Sequence, residues 1–368
     1  MTVLQSPKMT DNASTAAAQL VARFRRQRPL RGGSLIVTIF GDAIMPRGGA
    51  VSLGSLIALA APFGLNERLV RTATARLAKD GWLEGRRAGK LSEYHLAHAG
   101  RERFAEATKR IYSEPDTVWS GRWTVIVLPP MRAAERKELR KELAWRGFGE
   151  LSTNVFAHPE LDSRSLRAQG RPRGPLSKAI VFDATLADDD APQGLVSLGW
   201  DLEDLGLRYL RFVKRFERVF AALHDVRSLD HQACFIVRTL LIHEYRRLHL
   251  RDPLLPARLL RVNWPGAQAA ALCRDIYARV FAASELHLSR VATQLDGPLP
   301  PPDASVMQRF GGIDGSTVRS RVKRKCCAPA SRFVRRPLFK RRHDQGQKGI
   351  RLKSVQSPVI DREGEIAH

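Results

Sequence analysis

The chain has 368 residues, 43% of them hydrophobic, enough for two or three domains with real cores and too apolar for a chain disordered throughout. Its 61 Lys and Arg outnumber 37 Asp and Glu, a formal net charge of +24. That balance favours a polyanionic partner, nucleic acid or an anionic membrane surface. No run approaches the ~20 apolar residues of a membrane span. The four cysteines form no C-x-x-C pair, which suits neither a zinc site nor a simple disulfide frame and makes a reducing cytoplasm the default.

Residues 1–30 are polar, end in RFRRQRPL, and read as a flexible basic arm. Ser34–Ile44 (SLIVTIFGDAI) predicts a first helix, although its period is imperfect and its β-branched residues also fit a strand. Pro46, Gly48 and Gly49 make a turn, and Val51–Ala60 predicts a second helix closed by Pro62 and Gly64. Asn66–Asp80 (NERLVRTATARLAKD) is a third. At roughly 100° per residue, Leu69, Val70, Ala73 and Leu77 fall on one face. Arg68, Arg71, Thr72, Ala75, Arg76 and Lys79 fall on the other. Asn66 is a good N-cap, Glu67 suits the positive end of the helix dipole, and Gly81 stands where a helix stops. Trp82–Glu84 and Ser92–Leu96 read as two short strands around Gly85, Arg86, Arg87, Gly89 and Lys90, a hairpin with a basic tip.

A capped helix with a cationic face, a helix and turn before it and a cationic wing after it form the order of a winged helix-turn-helix. A lone basic face would be read as solvated surface; the constellation points to double-stranded DNA, with a winged-helix domain used only for protein docking as the rival reading. Arg68, Arg71, Thr72, Arg76 and Lys79 are the candidate DNA contacts on the helix, since Arg can bridge guanine O6 and N7 and Thr can meet a thymine methyl. Arg86, Arg87 and Lys90 are the candidates on the wing, for phosphates or the minor groove.

Beyond an amphipathic linker helix at His98–Tyr112, Gly121–Leu128 predicts a strand, Ala133–Arg146 a helix, Leu151–His158 a second strand and Lys178–Thr185 a third. Strand–helix–strand–strand suggests a small ferredoxin-like sheet domain, with Asp162–Pro175 giving no element. Ala187–Gly194 reads as a linker. Helices follow at Asp201–His224, Asp230–His249 and from Trp264 onward. Residues 291–368 hold 16 Lys and Arg against 7 Asp and Glu and predict a basic, disordered tail. The expected fold class is α+β multidomain: an arm at 1–30, a reader with linker helix at 31–113, a ferredoxin-like domain at 118–187, a helical domain at 196–290 and the tail.

No catalytic constellation is visible: there is no G-x-S-x-G, Walker loop or G-x-G-x-x-G, and Asp188–Asp190 sits in a Pro/Gly linker. In His243-Glu244-Tyr245-Arg246-Arg247, Arg247 stands where a zinc-protease H-E-x-x-H needs its second His. A structural Glu–Arg network with a packed His is one account of that cluster. Ligand sensing is the other, since an acyl-coenzyme A needs cations for its phosphates and an apolar slot for its acyl group. Two further readings stand beside a DNA-binding regulator: a metal-dependent enzyme acting on nucleic acid through the ferredoxin-like domain, and a scaffold binding nucleic acid non-specifically through its tail.

The run from Ser34 to Leu96 resembles the N-terminal domain of PaaX-type transcriptional repressors. So do GRWTVIVL, LRKELAWRGFGELSTNVFAHP, HEYRRLHLRDPLLPARLL and WPGAQAAALCRDIYARVF. The resemblance covers roughly residues 31–290, is weak over Asp162–Pro175 and finds no counterpart after Arg290. It implies a winged-helix reader, a ferredoxin-like middle domain and a helical C-terminal domain. It also implies a cytoplasmic homodimer on operator DNA of phenylacetic acid catabolic genes. Phenylacetyl-CoA would be the inducer, with no cofactor, no metal and no membrane contact.

Overall fold

The computed structural model describes residues 12–27, 32–89, 91–113, 119–159, 176, 179–187, 191–224 and 229–313. Its first element overturns the arm. Ala13, Ala16, Ala17, Leu20 and Phe24 recur at helical spacing and are buried in α1 (Asn12–Arg25). That stripe of small residues lets α1 lie close against helices from the far end of the chain. A polar composition concealed it, because alanines carry the buried face.

The next helix explains the imperfect period of Ser34–Ile44. α2 (Gly32–Ile39) runs into a π-helical turn at Phe40–Ile44, where the Met45 N–H bonds to the Phe40 carbonyl. One extra residue per turn shifts every later side chain around the axis, and it brings Asp42 into the interior. β1 (Ala50–Ser52) precedes α3 (Leu53–Ala60), and the Ser52 side chain caps α3 at Ser55 N. α4 (Glu67–Lys79) leads into the antiparallel strands β2 (Leu83–Ala88) and β3 (Leu91–Leu96), and β1 pairs with β3 to make the order β1-β3-β2. α5 (His98–Tyr112) follows.

The middle of the chain is a second sheet. β4 (Arg122–Val127) passes through α6 (Ala133–Trp145) to a hairpin of β5 (Gly149–Ser152) and β6 (Val155–Pro159), and β7 (Ile180–Thr185) completes it. The order is β5-β6-β4-β7 and all pairs are antiparallel. The single strand expected over Leu151–His158 is thus two strands, reversed at Asn154, whose φ of +80° is a conformation Asn tolerates in turns. One face of the sheet packs on α6 through Ile126, Leu139, Leu143 and Phe156. Trp123, Ala157 and Val196 form a separate cluster. The linker expected at Ala187–Gly194 becomes helix from Ala191: α7 (Ala191–Gly199).

Three long helices complete the core: α8 (Leu202–His224), α9 (His231–His249), capped by Asp230 on Ala233 N at 2.6 Å, and α10 (Pro265–Val291), with Pro at its first turn. Order continues past residue 290, against the expectation of a tail beginning there. β8 (Thr293–Gln294) pairs with β9 (Gly297–Pro298), and a 3₁₀ segment at Ala304–Gly311 buries Val306, Arg309 and Phe310. The rest of that expected tail, 314–368, lies outside the described residues, as does Asp162–Pro175.

One apolar core runs through α1 to α5, α8 to α10 and residues 299–313. At its centre is a charged cluster. Asp42 Oδ1 accepts from Tyr112 OH (2.6 Å), Tyr277 OH (2.9 Å) and Arg309 Nη1 (2.8 Å), and Oδ2 accepts from Arg238 Nε (2.7 Å). The Asp42 carbonyl takes further bonds from Arg238 and Arg309. Glu285 joins Arg238 to Arg47, and Arg47 also bonds to the Pro300 carbonyl. Burial alone would raise the Asp42 carboxyl. The two guanidiniums and two phenols outweigh it and hold the group below its ordinary value.

Removing Asp42 takes away the one carboxylate that pairs with Arg309 among the described residues and leaves Arg238 with Glu285 alone, so a charge is stranded in a dry interior. Asp42→Ala is expected to lower unfolding stability by about 3–5 kcal/mol, read as a shifted urea midpoint at neutral pH; an unchanged midpoint refutes the role. Truncation after Arg290 removes Arg309 and the Arg47 contact at Pro300. It should lower the thermal midpoint at least as far as Arg309→Ala does in the full chain, and a midpoint equal to the full chain's refutes that.

Candidate nucleic-acid interface

α4 is set by its two ends and one buried stripe. Asn66 Oδ1 accepts from Leu69 N at 2.9 Å, as an N-cap should. At the other end Gly81 adopts φ +71°. Its N–H reaches Ala78 O at 3.1 Å while Trp82 N reaches Leu77 O at 2.9 Å, a Schellman closure with Trp82 and Leu77 both against the core. Val70 and Thr74 are buried. The stripe differs by part of a turn from the expected one: Leu69 is 43% exposed and Thr74 is fully covered. Thr74 tolerates this because its hydroxyl donates within the helix, to Val70 O at 2.9 Å and Arg71 O at 3.0 Å.

The opposite face carries Arg68, Arg71, Thr72, Ala75, Arg76 and Lys79, all exposed. Glu67 does more than meet the dipole: it pairs with Arg71 at 2.7 Å. Arg76 lies 3.8 Å from Asp80. Thr72 donates its hydroxyl to Arg68 O at 2.8 Å, which fixes its rotamer. Exposed i,i+4 pairs of this kind contribute little to stability, roughly 0.3–0.5 kcal/mol, so neither Arg is held back from a stronger anion.

The hairpin is longer than expected. Arg86 and Arg87 lie within β2, opposite Glu93 and Ser92, and both are exposed. Lys90 lies outside the described residues. Arg86 is 3.6 Å from Asp296, on the turn between β8 and β9. That turn is pinned to the small sheet: Leu295 N donates to the buried Glu93 at 2.8 Å, Thr293 N to Ser55 Oγ at 2.9 Å and Gln294 to Ala50 O at 3.3 Å. The segment after Val291 therefore braces the small sheet from below.

The second cluster, on α9, is tied to α2. His243 is fully buried, with Nδ1 3.0 Å from Thr38 Oγ1. The same Thr38 hydroxyl lies 3.0 Å from Ser34 O, one turn back in α2. Arg246 bonds to Thr38 Oγ1 (2.9 Å), Ser34 O and Ser34 Oγ (both 2.8 Å), and burial beside Arg247 lowers it to about 10. Glu244 pairs with Arg215 of α8. Tyr245 is buried, its hydroxyl 3.2 Å from His249 Nδ1. His249 Nε2 lies 3.1 Å from Arg110 O, and burial lowers its pKa to about 4. Arg247 is half-buried. Among the described residues these side chains are engaged by α2, α5 and α8.

Trp119 and Trp123 pack edge to face within the cluster that includes Trp200. Trp145 instead bonds to Glu106 at 2.9 Å and carries Arg110 over its ring at 5.2 Å. Among the described residues no group of three or more His, Cys, Asp or Glu side chains is placed to hold a metal ion, and no described helix is long and apolar enough to cross a membrane.

Sequence reasoning missed the Asp42 cluster altogether. Its partners lie 70 to 267 positions away in the chain, and no local spacing announces them.

Three family descriptions match the chain in succession: PaaX-like protein over residues 31–100, the PaaX protein central Cas2-like domain over 116–196, and the PaaX-like protein C-terminal domain over 200–290. The transcriptional repressor PaaX of Escherichia coli strain K12 is 34% identical over 290 residues, 78% of this chain and 92% of that protein. Among solved structures, the uncharacterized protein Rv0674 from Mycobacterium tuberculosis is 24% identical, covers 62% of this chain and 89% of its own, and has a TM-score of 0.41. With three successive matches and a relative of that identity over nearly its whole length, the chain belongs to the PaaX family.

Proposed function

We propose that this protein is a DNA-binding transcriptional repressor of phenylacetic acid catabolic genes, acting as a homodimer and released from its operator by phenylacetyl-CoA. The observation that carries the DNA-binding part is α4. It is a helix capped at both ends and docked through Val70 and Thr74, with every cation of its outer face exposed. We read α2 to β3 as a winged helix-turn-helix, with α4 in the major groove and β2–β3 as the wing. The order β5-β6-β4-β7, with α6 crossing from β4 to β5, is read as ferredoxin-like, the fifth element of that pattern falling on residues outside the description.

Arg68, Arg71 and Arg76 reach bases, Thr72 offers a methyl, and Lys79, Arg86, Arg87 and Lys90 meet phosphates. Arg71 trades Glu67 for DNA at small cost, since its present pair is exposed. His243 to Arg247 are read as the support that fixes α2, not as the ligand site, because Thr38, Ser34 and Arg215 already engage His243, Arg246 and Glu244. A regulator, not an enzyme, is the reading supported by the relative, itself a transcriptional repressor.

Arg71→Ala should weaken operator binding by about tenfold or more, corresponding to a lost bidentate base contact of ~1–3 kcal/mol, with an unchanged unfolding midpoint. Equal affinity in a gel-shift titration at fixed salt would sink the assignment. In the same assay phenylacetyl-CoA is expected to release bound protein while phenylacetate and free CoA together do not; release by the mixture would point to a different effector.

A further inference from the structure

α8 carries Arg211, Lys214, Arg215 and Arg218 at i, i+3, i+4 and i+7, one face of a helix. Opposite them, α1 presents Asn12, Thr15, Gln19 and Arg23. The two helices enclose a groove of about 630 Å³ whose apolar lining is Ala16, Leu20, Val219 and Ala222. Among the described residues, five cations therefore line it together with three neutral polar side chains, and the lining includes no carboxylate. Arg215 alone has a carboxylate partner, Glu244 from α9; among the described residues Arg23, Arg211, Lys214 and Arg218 have none. Burial and the Arg23 charge hold Arg215 at about 10 even with Glu244 beside it. Five like charges gathered along one recess, with Glu244 the one carboxylate paired to them among the described residues, leave a strong positive potential over an apolar surface.

Duplex DNA presents its phosphates along a broad convex backbone, whereas these cations face into a recess of small-ligand size with apolar walls. We propose that the groove between α1 and α8 binds an organic phosphate ester with two or more phosphate groups and an apolar appendage, the chemistry of an acyl-coenzyme A thioester. Phosphates pair with Arg23, Arg211, Lys214 and Arg218, and the acyl group lies on Leu20, Val219 and Ala222. The acyl part of this assignment rests on the effector reading above; the polyphosphate part rests on the groove alone.

Its regulatory meaning follows from Arg215. A phosphate in the groove competes with Glu244 for that guanidinium, and Glu244 stands beside His243 and two residues before Arg246, whose bonds to Thr38 and Ser34 fix α2 under the reader helix. The groove's other wall, α1, touches His243 directly through Phe24 at 5.6 Å between ring centres. Occupation thus bears on both supports of α2.

The test is calorimetric titration of the full chain with phenylacetyl-CoA, CoA and inorganic pyrophosphate, alongside operator release by phenylacetyl-CoA. It is run on the wild type and on the double variant Arg211→Glu, Arg218→Glu. Both positions are exposed, and an unchanged unfolding midpoint checks the fold. Expected are binding of phenylacetyl-CoA more tightly than CoA, and of CoA more tightly than pyrophosphate. The double variant should lose affinity for the first two by about tenfold or more, as for lost charge-assisted hydrogen bonds. Undiminished affinity in the variant overturns the site, whatever happens to operator binding. If the variant is still released from its operator like the wild type, the repressor reading stands and the groove is wrong. If phenylacetyl-CoA binds the groove but releases nothing, the groove stands and the effector reading fails. Equal affinity for CoA and phenylacetyl-CoA overturns the acyl assignment, and no binding of any probe overturns the whole.

Discussion

The carboxylate of Asp42 is the point on which the arrangement of this chain depends. It sits at 4% exposure between Arg238 and Arg309, with phenols from Tyr112 and Tyr277 on the same oxygen. Charges so placed lose most of their hydration, and only close mutual contact offsets that loss. Each donor comes from a different part of the chain: α5, α9, α10 and the segment after β9. The cluster therefore forms only when all of these have arrived, and it joins the first helical unit to the last.

That junction explains why the unit from α2 to β3 is not a separate bead on a linker. Its helices share one apolar core with α8, α9 and α10. The β1-β3-β2 sheet is held from the far end of the chain through Glu93 and Leu295, and α2 is held from α9 through Thr38 and Ser34. α2 in turn packs on α4. The middle sheet is coupled differently. Arg110 of α5 bonds to the carbonyls of Trp145 and Asp252, so the linker helix is the hub between the sheet and the α9 end.

Much of this was legible in the residues, and the illegible parts share a cause. The N-cap at Asn66, the stop at Gly81 and the exposed cations of α4 follow from local chemistry. So do the bounds of α5, α6 and α9 to within a residue or two. α1 was hidden because its buried face is largely alanine, which composition counts as neutral filler. The second strand of the β5–β6 hairpin was hidden because Asn154 turns without Gly or Pro. Residues 299–313 read as tail because their few apolar side chains have no period. What buries them is Arg309 finding Asp42, a contact no window of sequence contains. The spacing of the α8 cations puts them on one helix face, but only the fold sets α1 opposite them.

The π turn at Phe40–Ile44 has a consequence for what changes the chain can absorb. Such a turn holds one residue more than an α-helical turn. Deleting Phe40 or Gly41 would restore regular helix and swing the following side chains by roughly 100°, carrying Asp42 away from both guanidiniums. Substitutions at Phe40 or Ala43 change a volume; a one-residue shortening changes the phase of the whole segment. In this helix, length is as much a determinant of the buried charge as the identity of the aspartate.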